Sequence, residues 1–122
     1  MKYLKTYEHL ISNTILPQIG EYVICNPDYK NANQEYANKI NNFLISNIGQ
    51  ILELDNIHGP NFEPFFHVYY QNVPGDMSNS FGYHSKYRDS PFYMNFNQEQ
   101  IIYHSTIKEN LEPFIQANKY NL

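Results

Sequence analysis

Five short apolar runs, at residues 21–25, 50–54, 65–70, 92–96 and 101–104, constrain this chain more than any other feature. Each has strand length, is rich in β-branched or aromatic residues, and is bounded by Gly, Pro, Asn or Asp. Together they predict an α+β protein built on a small antiparallel five-stranded barrel or curled sheet over 20–105. Three helices are expected around it. Tyr3, Leu4, Tyr7, Leu10, Ile11 and Ile15 fall at helical spacing and place one over 1–16, ended by Pro17. Tyr36, Ile40, Phe43 and Leu44 place a second, inserted over 34–48, with Asn31 or Asn33 as its N-cap and Gly49 as its stop. The third covers 106–120, where Thr106 and Glu109 match a capping box and Ile107, Leu111, Phe114 and Ile115 form a stripe. Pro113 interrupts that stripe and removes a backbone hydrogen bond, so this helix is expected to bend or split.

A chain of 122 residues reads as one domain, and without Trp its 12 Tyr and 8 Phe must supply the bulky packing. The net charge of −4 argues against bulk nucleic-acid binding, which needs a basic surface. Arg88 is the only arginine, and the abundance of Asn, Ile, Tyr and Lys reads as the codon bias of an AT-rich genome. A lone cysteine, Cys25, excludes an intrachain disulfide and points to a reducing, cytoplasmic setting. Lys2, Lys5, Glu8 and His9 interrupt the first apolar stretch, unlike a secretory signal, and no membrane span is expected.

Reactive chemistry is sparse. The five histidines show neither HxH nor HxxxH spacing, so no metal and no cofactor are expected. His67 and His104 both fall on predicted strands and are candidates for ladder neighbours, with Glu99 nearby. Cys25 reads as a small buried hydrophobe. Glu53 and Asp55, two apart on a strand, share a face that reads as solvated. The stretch 74–91 lacks periodicity yet is too aromatic for a flexible linker. It carries the candidate binding residues Tyr83, His84, Lys86, Tyr87 and Arg88. Tyr and Arg are enriched at binding hot spots. The same residues suit a nucleotide, with Lys86 and Arg88 on phosphate and Tyr83 or Tyr87 on the base. The plainer alternative is a surface loop that covers a barrel end.

The succession 19–24, 47–52, an aromatic strand and the short strand 101–105 resembles an SH3-like small barrel. Residues 1–8, 20–25, 47–51, 108–112 and 118–122 together resemble short proteins encoded by tailed phages with AT-rich genomes. Residues 1–11 are also similar to the capsid-targeting leader of internal head proteins, cut after Leu/Ile-x-Glu, a pattern that Ile19 and Glu21 fit. A helix packed on the barrel is the preferred reading of that stretch. The expectation is a non-enzymatic module that engages a host or virion protein through loop 81–90. Its alternatives are a nucleotide-sequestering protein and a structural virion component or packaged internal head protein. An enzyme ranks last, and its mark would be a cleft joining His67, His104 and a carboxylate.

Overall fold

A computed structural model describes residues 16–30, 33–55 and 64–121. The helix expected over 1–16, apart from Leu16, and the N-cap candidate Asn31 lie outside the described residues. The elements run β1 (Tyr22–Cys25), α1 (Gln34–Ile45), β2 (Gly49–Asp55), β3 (Phe65–Tyr70), β4 (Gly82–Tyr83), β5 (Phe92–Phe96), β6 (Ile101–Ser105) and α2 (Glu112–Asn121). The fold is α+β. All strand pairs are antiparallel, in the order β4-β5-β3-β2-β1-β6.

Of the expected five-stranded barrel or curled sheet, the structure shows a sheet that does not close into a barrel. The sheet has six strands, and its edges β4 and β6 do not pair with each other. The reason lies in the faces. A barrel encloses one interior, whereas this sheet packs apolar side chains on both sides. Val23, Cys25, Ile51, Phe66, Val68, Tyr70, Met94 and Phe96 build one core with Ile40 and Leu44 of α1. Ile24 of β1 packs on the opposite side against Leu111, Phe114 and Ile115 of the C-terminal segment. There Tyr103 of β6 stacks on Phe114 at 3.9 Å.

Local chemistry explains the element ends. Asn33 caps α1 by accepting from the Tyr36 N–H at 3.1 Å, and the helix stops at Ser46 rather than continuing to 48. Gly49 is therefore not the helix stop. It opens β2, where an added Cβ would lie 2.4 Å from Val68 Cγ1 and 2.8 Å from the Tyr70 ring. Gly20 has φ of +97°, a conformation costly for other residues, and its N–H reaches the Ile51 carbonyl at 2.7 Å. The C-terminal helix is split, one of the two outcomes expected of Pro113. A 3₁₀ turn, Lys108–Leu111, precedes α2, and Pro113 falls in the first turn, where its missing N–H is not needed. The expected Thr106–Glu109 capping box is absent. Ser105 Oγ accepts from the Ile107 N–H instead, at 3.1 Å. A capping box does form elsewhere, between Asn97 and Gln100. Among the described residues no helix is long and apolar enough to cross a membrane.

Candidate functional site

The face of β2 and β3 opposite α1 carries a cluster of acids, tyrosines and one histidine. A bulge in β2 creates it. Ile51 pairs with Val68 and Glu53 with His67, so Leu52 is an extra residue and the alternation of β2 shifts by one. Ile51 keeps its side chain in the core, while Glu53 joins the face of His67 and Tyr69. The expected sharing of a face by Glu53 and Asp55 holds, but the face is not simply solvated.

Tyr69 donates its hydroxyl to Glu53 Oε1 at 2.6 Å, and Tyr87 donates to Oε2 at 3.3 Å. His67 Nε2 lies 2.7 Å from Asp55 Oδ2, and its Nδ1 lies 3.4 Å from Glu53 Oε1. Tyr93 stacks on the His67 ring at 5.3 Å, and Tyr69 meets the rings of Tyr87 at 4.6 Å and Tyr93 at 5.0 Å. The Tyr69 hydroxyl bond holds the Glu53 carboxyl below its usual range, helped by the nearby His67 and His84 rings. Burial, and then Glu53 itself, pushes the Tyr69 hydroxyl up. His67 Nε2 is hydrogen-bonded to Asp55, whereas its buried Nδ1, 3.4 Å from Glu53, makes no hydrogen bond among the described residues. The cluster is built to hold its members in place.

What it holds is the loop from the sequence-predicted site. Residues 71–91 are ordered by turns: the Met77 N–H bonds to the Pro74 carbonyl at 3.0 Å, and Ser90 to Tyr87 at 3.1 Å. Met77 and Phe81 plug into the α1-side core, and Gly82–Tyr83 adds the sixth strand along β5. Tyr87 turns inward and is half-buried on Tyr69. Tyr83 is 63 % exposed, with its ring edge against Phe92. His84 is exposed, and its Nδ1 accepts from the Lys86 N–H at 3.2 Å. Exposed Lys86 places Nζ 5.4 Å from the Tyr87 ring centre. Arg88 is exposed and makes no ion pair among the described residues. Tyr83, His84, Lys86 and Arg88 thus face solvent, while Tyr87 binds the loop to the sheet.

The expected pairing of His67 with His104 does not occur. His67 pairs with Glu53 and Asn95, and His104 with Val23 near the other edge. His104 is buried, with Nδ1 2.8 Å from Glu21 Oε1. Cys25 is fully buried, and burial pushes its thiol up to about 12, so it is a packing residue as expected. Among the described residues no group of three or more His, Cys, Asp or Glu is arranged to hold a metal ion.

The sequence reading missed the joint role of Glu53, His67 and Tyr69. The available signal was two i, i+2 pairs, Glu53 with Asp55 and His67 with Tyr69, on successive strands. Their alignment depends on the bulge, which leaves no mark of its own in the sequence. No protein-family model matches the chain, and no curated protein or solved structure is significantly similar to it.

Proposed function

We propose that this chain is a non-enzymatic binding module that engages a protein partner through loop 81–90. The observation that carries this reading is the inward anchor of Tyr87 on Glu53 and Tyr69. An anchored loop has already lost much of the conformational freedom that binding would otherwise cost. The side chains it leaves exposed include an aromatic ring and two cations, Tyr83, Lys86 and Arg88. Such groups bury area and make directed hydrogen bonds at binding hot spots. The resemblance to short proteins of tailed phages gives the setting, with a host or virion protein as partner.

The test is affinity capture from host lysate with tagged wild type and a Tyr83→Ala/Arg88→Ala variant. Tyr87 is left intact, because truncating it would release the loop and confuse anchoring with contact. The expected result is a partner held by wild type and lost by the variant, with both proteins melting at the same temperature. A partner retained by the variant would remove the loop from the reading. A nucleotide that raises the melting temperature at micromolar concentration, with no protein captured, would replace it with nucleotide sequestration.

A further inference from the structure

We propose a second binding site that goes beyond the loop: the outer edge of β5 at Asn95 accepts an extended peptide segment of a partner as an added strand. In an antiparallel pair, alternate residues turn their N–H and C=O toward a given neighbour. The His84 N–H bonds to the Pro91 carbonyl at 2.8 Å, and Gly82 stands opposite Tyr93. Residues 91, 93, 95 and 97 therefore turn their main-chain groups away from β3. Tyr93 is paired by Gly82. Asn97 is closed on itself, its N–H donating to Gln100 Oε1 at 3.0 Å and its carbonyl accepting from the Gln100 N–H at 3.2 Å. Asn95, between them, is exposed and has no such partner among the described residues.

The chain itself cannot extend β4 to cover Asn95. Before Gly82 it places Phe81 in the core and coils into the 3₁₀ turn Ser78–Ser80. Beside the open edge lies a groove of about 590 Å³, within the range of ligand sites, lined by Tyr29, Lys30, Tyr36, Tyr93 and Met94 as well as Asn95. Its walls are fixed in the free protein. Asn41 clamps Tyr29 from both sides, accepting from its N–H at 2.9 Å and donating to its carbonyl at 3.0 Å. Tyr36 Oη is hydrogen-bonded to Ser80 Oγ. Strand 92–96 also lacks the Lys, Pro or bulge with which edges are usually protected.

A free main-chain donor and acceptor on one residue, next to a preformed aromatic groove, match the two needs of strand addition. Backbone bonds supply affinity, and a side-chain pocket supplies selectivity. Lys30 is exposed at the groove and has no ion-pair partner among the described residues. The occupant is therefore an extended peptide with an aliphatic or aromatic residue in the groove and an Asp or Glu close to it.

The test is selection of a random linear decapeptide library on the full chain, followed by amide exchange of Asn95 measured by NMR. Recovered peptides should combine an apolar residue with a nearby acid and slow Asn95 exchange by about tenfold or more. Asn95→Pro removes an outward N–H and no ladder bond, so its melting temperature should stay within about 2 °C of wild type. It should weaken the selected peptides by about tenfold. Recovery of no peptide, or of peptides that bind Asn95→Pro as tightly as wild type, would overturn the proposal. So would a large loss of melting temperature in Asn95→Pro, because the N–H would then face β3. Peptides kept by Asn95→Pro but lost by Tyr83→Ala/Arg88→Ala would support the loop reading while overturning this one.

Discussion

Tyr69 and Tyr70 are neighbours on β3, equally buried, and do opposite things. Tyr70 points into the α1-side core, among Val68, Phe81 and Phe43, where its hydroxyl has no regular hydrogen bond. Tyr69 points to the other face, where its hydroxyl meets a carboxylate. The α1 side of the sheet is held by excluding water. On the other side β1 packs on the C-terminal segment, while β2 and β3 carry a polar network whose outermost member is the loop anchor Tyr87. Burial alone does not tell the two apart. The difference lies in what each hydroxyl finds, since an unpaired buried polar group costs free energy and a charge-assisted bond returns it. On this division the α1 side carries most of the stability, and the open side positions the loop.

The division is most directly broken at Phe66. Its side chain is 1 % exposed within the α1-side core, so Phe66→Ala should lose about 3–5 kcal/mol in urea unfolding, the usual range for such truncations. A loss under about 1 kcal/mol would mean that this face is not the main core.

Tyr69→Phe probes the opposite side, with a smaller effect. Hydrogen bonds to charged groups contribute about 1.5–3 kcal/mol, and Glu53 is 33 % exposed, so a loss near the lower limit is expected. The substitution should also change the pH dependence. Glu53 has a folded-state pKa below its ordinary value of 4.5, mainly through the Tyr69 hydroxyl. The unfolded chain therefore takes up this proton first as pH falls. The stabilisation is complete above the ordinary carboxyl range and is lost as pH falls through the lowered value. Between about pH 5 and pH 3, wild type should lose stability more steeply than Tyr69→Phe. Parallel curves would show that Tyr69 does not set the Glu53 titration.

These two faces were unequally legible in the sequence. The strands were, because Val, Ile, Tyr and Phe in short bounded runs have few other solutions, and 92–96 is matched to the residue. That the last helix would bend or split around Pro113 followed from proline's missing donor. The six-stranded open sheet did not follow, since β4 is two residues long and carries no periodicity. The polar face was hidden for a different reason. Glu53 reaches Tyr69 and His67 only because Leu52 bulges, and a bulge depends on how two strands settle against each other. Of the candidate site, residue type pointed correctly to an ordered loop. It could not separate Tyr87, which anchors, from Tyr83, which is presented, because both are tyrosines of one aromatic and cationic stretch.

The smallest expected effect is the most discriminating. Tyr70→Phe deletes from the α1-side core a hydroxyl whose polar neighbour is the Cys25 thiol, a weak hydrogen-bonding partner. Burial, with the Cys25 thiol beside it, pushes that hydroxyl well above its usual pKa, so it stays neutral and has already lost its water. Removing a desolvated hydroxyl that makes no regular bond should change stability by less than about 0.5 kcal/mol, or raise it slightly. The same chemical change one residue earlier, at Tyr69, should be clearly destabilising. Equal losses at both positions in urea unfolding would mean that the Tyr70 hydroxyl is engaged after all, with Cys25 as the neighbour to test. A Cys25→Ala/Tyr70→Phe double variant decides this: strict additivity leaves the α1 side as pure packing, and coupling above about 0.5 kcal/mol makes it a second polar contact.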